Sequence, residues 1–172
     1  MFEVGVFEKV SWAQFLKDYK DKFTLEESSI HNIYKNLNIP RRATQKSMGY
    51  DFFAPFDITL NPNETINIPT GIRFKAVEEG WGLLLYPRSG LGFKYRLQLN
   101  NTVGVIDADY YNSDNEGHIF IKVTNDTNED KILSIKAGEG FAQGILTPYG
   151  IVVGDNVTDI RNGGFGSTTK GV

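Results

Sequence analysis

The chain contains no cysteine, which excludes disulfide bonds and thiolate metal sites and fits a reducing, cytoplasmic setting. It also lacks an apolar run long enough to cross a membrane, and Glu3 and Glu8 interrupt the first ten residues. We therefore expect neither a membrane span nor a signal peptide. An excess of basic residues is missing too, and the net charge of -3 argues against a general nucleic-acid binder.

Histidine is scarce, and the two present, His31 and His118, are too far apart in sequence to fit a zinc spacing. We expect structural or surface roles for both. What remains is ordinary for a globular protein, with 40% apolar and 23% charged residues. A length of 172 residues fits one domain, spanning 1–172, that can bury a sizeable core.

Residues 11–38 have helical periodicity. Apolar side chains recur at the spacing of one helix face in two stripes, and each stripe follows a capping box, Ser11 with Gln14 and Thr24 with Glu27. We predict a pair of helices that pack on a neighbouring surface. The stripes are Trp12, Phe15, Leu16, Tyr19 and Phe23, and then Ile30, Ile33, Tyr34 and Leu37.

The rest of the chain indicates an all-β fold. Short apolar runs punctuated by Pro and Gly favour a sandwich, barrel or jelly roll. Residues 161–172 contain four glycines and no apolar periodicity, which predicts a flexible arm. The predicted strands are Phe2–Phe7, Phe52–Phe53, Ile66–Ile68, Ile72–Ala76, Trp81–Tyr86, Leu97–Leu99, Ile119–Val123, Ile132–Ile135, Phe141–Leu146 and Ile151–Val153.

The stretch Asn101–Tyr110 combines an amide, a carboxylate and a phenol within ten residues. Its β-branched residues predict a strand, and Gly104 allows a sharp turn, so we expect a hairpin with Asp107 at its tip. An aspartate fixed there can serve as a general base, and Tyr110 can supply a flat wall for a ring. Taken alone, however, the stretch is better explained as a strand end with a turn aspartate.

Four weaker segments accompany it. The segment 87–92 follows a strongly apolar run and offers Arg88, a hydroxyl and glycines, which suit either a phosphate cradle or a polar turn. The segment 161–170 surrounds one phenylalanine with cations, hydroxyls and glycines, without Walker A spacing, and could equally be a disordered end. Asp51 lies close to a glycine before a strand, and Gln143 lies within another strand.

Taken in order, these five segments resemble the five motifs of the trimeric, all-β dUTPases, from about Ile39 to the C-terminus, with Phe2–Phe7 as the first strand. The resemblance implies a jelly roll and a homotrimer whose three active sites are each shared between chains. It also implies hydrolysis of dUTP to dUMP and pyrophosphate with Mg²⁺, which clears dUTP from the nucleotide pool and supplies dUMP for thymidylate synthesis.

The resemblance also implies roles for individual residues. Asp107 corresponds to the base that activates water, Tyr110 to the tyrosine that packs on deoxyribose, and Asp51 to the acid that holds the metal through water. The other implied contacts are with substrate. Asn101, Gly104, Val105 and Ile106 would read uracil, Arg88, Ser89 and Gly90 would bind phosphate, Gln143 matches the fourth motif, and Arg161, Phe165, Ser167 and Thr168 would close over the γ-phosphate and the base.

The sequence departs from the family pattern in several places. Gly140 stands where the fourth motif usually has Arg, the arm is one residue shorter between Arg161 and Phe165, and Thr169 replaces a usual Gly. An acidic polar insert, Tyr111–Glu116, follows the third motif. The helical pair at 11–38 is outside the common core, so the motifs place the site within 39–172.

Two other functions remain open. A dCTP deaminase, a relative with the same fold, needs a catalytic Glu on the strand after the third motif, but residues 118–125 contain none and Glu116 lies only in the preceding loop. A non-catalytic interaction protein could use the same fold and the helical pair. The presence of Asp107, Arg88 and Arg161 argues against a loss of catalysis.

Overall fold

The computed structural model describes residues 2–161 and residue 163. The predicted arm residues Phe165, Ser167 and Thr168 lie outside the described residues. None of the helices in the described part of the chain is long and apolar enough to span a membrane.

The described chain begins with a strand and two helices and continues mainly as short strands. The helices are α1 (Trp12–Lys22), α2 (Glu27–Lys35) and α3 (Ser89–Tyr95), and a 3₁₀ helix covers Ala108–Asn112. The strands are β1 (Gly5–Lys9), β2 (Arg41–Arg42), β3 (Tyr50–Phe53), β4 (Ile58–Leu60), β5 (Thr65–Pro69), β6 (Ile72–Ala76), β7 (Trp81–Pro87), β8 (Leu97–Leu99), β9 (Gly104–Ile106), β10 (Phe120–Asn125), β11 (Leu133–Ile135) and β12 (Gly140–Pro148).

Among the described residues, the largest sheet has the strand order β2-β3-β12-β7-β9, and a three-stranded sheet has the order β5-β10-β8. Two-stranded sheets join β1 to β6 and β11 to β4. Every pairing found in this part of the chain is antiparallel. This arrangement confirms the predicted all-β class and is consistent with a jelly roll.

Alternation along the strands builds the β core. In β10, Ile121, Val123 and Asn125 are buried while the residues between them are not, which is the period of two expected for a strand with one inward face. The buried amide of Asn125 donates to the carbonyls of Leu60 and Lys131, each at 2.9 Å. The core is therefore apolar with polar anchors at its edges.

A second buried cluster belongs to the helical pair. It consists of Val10, Phe15, Tyr19, Ile30 and Leu37. Phe56 packs against both this cluster and the β core, so the two apolar interiors meet. The predicted apolar stripes are thus covered by residues of the same chain.

The two predicted helix starts differ in outcome. Ser11 caps α1 as predicted, since its hydroxyl accepts a hydrogen bond from the Gln14 amide at 3.2 Å. The predicted second capping box of Thr24 with Glu27 is wrong. Glu26 holds the N-cap position without a side-chain cap, and Glu27 is the first helical residue, paired with Lys20 at 2.8 Å.

Two predicted strands are also corrected. The first strand is Gly5–Lys9 rather than Phe2–Phe7, because the pairing with β6 begins at Gly5 and Phe2 is exposed. Residues Ile151–Val153 are exposed and belong to no strand. The last strand, β12, ends at Pro148, and the described part of the chain shows no strand pairing for residues 151–153.

Gly71 lies where the helical cluster meets the β core, with φ at +75°. A Cβ there would collide with Leu37 Cδ1 and lie 2.9 Å from Phe15 Cε2. Gly80 has the same φ, but a Cβ there would meet only the Tyr149 carbonyl, at 3.5 Å. We predict that Gly71→Ala destabilises the protein by about 1–3 kcal/mol more than Gly80→Ala, because only the former overpacks the core.

The difference is measured from the urea midpoints of the two variants at unchanged m-value. Gly80→Ala controls for the backbone strain common to both substitutions. Equal losses would contradict the packing of the helical cluster on Gly71.

Candidate active site

Three of the predicted segments, those that contain Asp51, Arg88 and Gln143, meet on the large sheet. The register pairs Asp51 of β3 with Gln143 of β12, and Gln143 with Tyr86 of β7. Arg88 follows the last residue of β7. Antiparallel pairing therefore brings together residues that are distant in sequence.

These residues contact one another directly. Arg88 Nε lies 3.2 Å from Asp51 Oδ1, and Gln143 Nε2 donates to the Pro87 carbonyl at 3.2 Å. The Arg88 side chain is 43% exposed, so it can still reach a ligand. A guanidinium balanced by one carboxylate is a suitable partner for phosphate.

We call the cavity beside this pair the Arg88 cleft. It has a volume of about 420 Å³, and its lining includes Gly49, Asp51, Arg88, Ser89 and Gln143. A Cβ at Gly49 would collide with Gln143 Oε1, so only glycine leaves the amide in place. The importance of Gly49 was not evident from the sequence, because the clash involves a residue on another strand.

Gly140 also accommodates Arg88. A Cβ at this position would lie 2.8 Å from Arg88 Nη1, and the Gly140 carbonyl accepts from the same nitrogen at 3.5 Å. The glycine that stands where the family usually has Arg thus provides space for the neighbouring guanidinium. Gly90 lines a different cavity with Arg88 and Gly140.

The segment 87–92, which the sequence left open as a phosphate cradle or a polar turn, contains the start of a helix. Arg88 is the extended N-cap residue and Ser89 is the first residue of α3. A Cβ added at Gly90 or Gly92 would meet nothing within 4 Å, so neither glycine is required by packing in the described chain.

The third segment differs from the predicted hairpin. β9 pairs with β7, whereas β8 pairs with β10, so the two strands that flank Asn100–Val103 belong to different sheets. Asp107 is not at a hairpin tip. It follows β9 in extended conformation and is the N-cap residue of the 3₁₀ helix.

Asn101, Gly104 and Ile106 line one cavity of about 570 Å³, which we call the Asn101 cavity. Its wall also includes Asp18, Asp21 and Lys22 of α1, which motif analysis missed because helix spacing gives no sign of a distant cavity. Apolar side chains and amide groups together can enclose a flat ring with polar edges. The remaining lining residues are Asn67, Leu85, Leu99, Asn100, Asn115, Phe120, Ile121 and Lys122.

Val105 and Asp107 line a separate cavity of about 540 Å³, which we call the Asp107 cavity. Val105 is exposed while Gly104 and Ile106 are buried, as expected for alternating side chains along β9, and Ile106 lines both this cavity and the Asn101 cavity. Arg161 also reaches this cavity. It forms ion pairs with Asp107 and Asp109, the latter at 3.0 Å.

Tyr110 is a buried residue beside this arrangement. The residue is only 4% exposed, its hydroxyl donates a hydrogen bond to the His118 carbonyl at 2.8 Å, and burial raises the pKa of the phenol. The Arg161 guanidinium lies 5.8 Å from the centre of the Tyr110 ring. The ring is therefore mostly internal, with a cation above it, rather than a fully exposed wall.

Asp51 is the one predicted site residue that was assigned to a metal ion. Among the described residues, no group of three or more His, Asp or Glu side chains could hold a metal by itself. Mg²⁺ is typically bound by one or two carboxylates, several waters and substrate phosphates. Asp51 in the Arg88 cleft fits that donor set for an ion that also binds phosphate.

Comparisons with known proteins agree on one family. A dUTPase family model matches residues 35–169. The deoxyuridine 5'-triphosphate nucleotidohydrolase of Lactococcus lactis is 44% identical over 140 residues, which cover 78% of this chain and 91% of that protein. The corresponding protein of Chromobacterium violaceum is 36% identical over 141 residues, covering 78% of this chain and 89% of that protein.

Solved structures give the same result. A dUTPase from Streptococcus mutans has a TM-score of 0.63 and 32% identity, covering 86% of this chain and 98% of that one. The dUTPase of Staphylococcus bacteriophage 80alpha with dUPNHPP has a TM-score of 0.58 and 26% identity, covering 80% of this chain and 94% of that one. The family-model match and these relatives, together with the segments described above, show that the chain belongs to the dUTPase family.

Proposed function

We propose that the protein hydrolyses dUTP to dUMP and pyrophosphate, with Asp107 as the base that activates the attacking water. The observation that carries this proposal is the ion pair of Asp107 with Arg161. It places a half-exposed carboxylate beside a cation in a cavity that is open to solvent. A carboxylate in such a place can take a proton from water while the cation attracts a phosphate.

The triphosphate is assigned to the Arg88 cleft. Arg88 and Ser89 offer a guanidinium and a hydroxyl to phosphate oxygens, and Gln143 offers an amide. Asp51 would hold Mg²⁺ through water, and the bound ion would offset negative charge on the phosphates. Arg161 exchanges its carboxylate partners for a phosphate when substrate arrives.

The Asn101 cavity is assigned to the nucleoside. Asn101 and the backbone at Gly104 provide hydrogen-bonding groups, while Leu85 and Ile106 provide an apolar surface. A site built to hydrogen-bond uracil rejects cytosine because its buried polar groups are then mismatched. Tyr110 supports the adjoining backbone. The contact of its ring with deoxyribose stays a prediction from the family resemblance.

We further propose a homotrimer with active sites shared between chains. The residues that line the Arg88 cleft are entirely different from those that line the Asn101 and Asp107 cavities. One chain therefore presents the phosphate residues and the base on separate surfaces. Exposed apolar residues next to the Asp107 cavity, Val105 and Tyr149, offer area for contact between chains.

The deaminase alternative is disfavoured by the position of Glu116. Both oxygens of its carboxylate accept hydrogen bonds from Ser11, one from the amide at 2.7 Å and one from the hydroxyl at 2.6 Å. Strand β10 contains no glutamate. Glu116 therefore serves as a structural anchor in the described chain.

Asp107→Asn should lower kcat for dUTP by about 10²–10⁴-fold and leave KM little changed, because Asn keeps the size of the side chain but cannot accept the proton. Asp109→Asn is the matched control, since Asp109 also pairs with Arg161. The rate of pyrophosphate release from dUTP is measured for both variants. An Asp107→Asn enzyme that binds dUTP normally and turns over within a few-fold of wild type would remove Asp107 from this role.

Mixing subunits tests the shared site. Arg88→Ala and Asp107→Asn should each be inactive alone, yet trimers assembled at random from an equal mixture of the two should recover on average about a quarter of the wild-type rate, because intact halves then meet at about one site in four. Light scattering checks the trimer mass. Mixed Arg88→Ala and Gln143→Ala should gain nothing, since both residues line the same cleft of one chain. No recovery in the first mixture would contradict sites shared in this way.

A further inference from the structure

The helical pair lies outside the part of the chain to which the motifs assign the active site, yet α1 contacts the loop after the third motif. His118 is the centre of this contact and is fully buried. Its Nε2 accepts the Gly71 amide proton at 2.8 Å, so the ring proton is on Nδ1. That nitrogen lies 2.5 Å from Asp18 Oδ2 and donates to it.

Asp18 is itself held in place on α1. Gln14 Nε2, one turn earlier, donates to Asp18 Oδ2 at 2.8 Å. The carboxylate is almost buried, and a buried charge needs such donors to remain in an apolar environment. Charge-assisted hydrogen bonds of this kind are shorter and stronger than neutral ones.

The other end of His118 leads to the active site. Its backbone carbonyl accepts the Tyr110 hydroxyl at 2.8 Å, and Asn115 Nδ2 donates to the Tyr110 oxygen at 2.8 Å. The Tyr110 amide in turn donates to the Asp107 carbonyl at 3.1 Å. Hydrogen bonds at Asp18, His118 and Tyr110, joined through the covalent structure of His118 and Tyr110, thus connect α1 to the backbone of Asp107.

The same residues also border the nucleoside cavity. Asp18 lines the Asn101 cavity directly. The His118 ring lies 4.7 Å, centre to centre, from the ring of Phe120, which lines the cavity too. Moving the His118 ring would therefore disturb the support of Asp107 and one wall of the cavity together.

Two further contacts fix the same loop from the N-terminal side. The Glu116 backbone has φ at +58°, which is unusual for a residue with a side chain, and its carboxylate is held by Ser11. Tyr111 donates to Glu8 at 2.7 Å, and this hydrogen bond is the main cause of the lowered pKa of Glu8. The loop is therefore positioned by residues 8–18.

We propose that Asp18 and His118 are positioning residues for dUTP hydrolysis, and that α1 belongs to the functional unit rather than being a dispensable addition. The inference rests on the proposed function. The pair holds the 3₁₀ helix that begins after Asp107 and the wall of the Asn101 cavity in one arrangement. Neither residue takes part in proton transfer to or from the substrate.

The test compares Asp18→Ala, Asp18→Asn and the control Tyr34→Phe. Tyr34→Phe removes the hydrogen bond from the Tyr34 hydroxyl to the Val10 carbonyl, at 2.8 Å, which joins a member of the helical cluster to a residue packed against it. We expect Asp18→Ala to lower kcat/KM for dUTP by about 10²-fold through misplacement of the site. Asp18→Asn, which keeps an acceptor for His118, should restore part of the loss.

Each rate is measured at a temperature well below the thermal unfolding midpoint of its variant, so that unfolding does not lower the measured rate. Tyr34→Phe should stay within a few-fold of wild type. The exchange-protected Nδ1–H proton of His118 should give a downfield NMR signal in wild type that Asp18→Ala abolishes. Combining Asp18→Ala with Tyr110→Phe should cost less than the sum of the single effects, because both break one series of hydrogen bonds.

The outcomes separate the two proposals. If the wild type is active and Asp18→Ala hydrolyses dUTP no more slowly than Tyr34→Phe, the positioning role is overturned but the proposed function is not. Asp18→Asn as slow as Asp18→Ala, or additive effects in the double variant, would also overturn it. A folded wild type that does not hydrolyse dUTP would overturn the proposed function, and the positioning role with it.

Discussion

The pairing of β12 with β3 on one side and β7 on the other is the constraint on which the rest of the site depends. It sets Gln143 opposite Asp51 and Tyr86, and it brings Arg88 to the same edge. β7 pairs in turn with β9, which leads to Asp107. A slip of one residue would turn Gln143 to the other face of the sheet, so the register is as important as the identity of the residues.

Both arginines of the candidate site pair with carboxylates of the same chain. Arg88 pairs with Asp51, and Arg161 pairs with Asp107 and Asp109. Because these partners are partly exposed, each pair contributes only about 0–1 kcal/mol. Under the proposed function, a triphosphate would therefore replace the carboxylates as partner of the two arginines at little cost, and Asp107 would then be released from Arg161.

Short-range sequence patterns predicted the helices and strands that depend on neighbouring residues. The stripe that begins at Trp12 and the cap at Ser11 predicted α1, and alternating apolar runs predicted most strands. The predicted cap at Thr24 was wrong because the Glu27 side chain pairs with Lys20 of α1 instead of closing a capping box. The predicted strand 151–153 was wrong because these residues pair with no other strand among the described residues. The contact of Asp18 with His118 spans 100 residues and leaves no signal in sequence spacing.

The candidate site was predictable only through the family resemblance, since the approach of Asp51 to Gln143 depends on sheet topology. We propose that this geometry serves hydrolysis of dUTP. The most direct measurement offers dUTP, dCTP, dTTP and UTP separately to the purified full-length protein with Mg²⁺ and follows pyrophosphate and ammonia. The protein should release pyrophosphate rapidly from dUTP alone. Ammonia from dCTP, or no product from any nucleotide, would contradict the proposal.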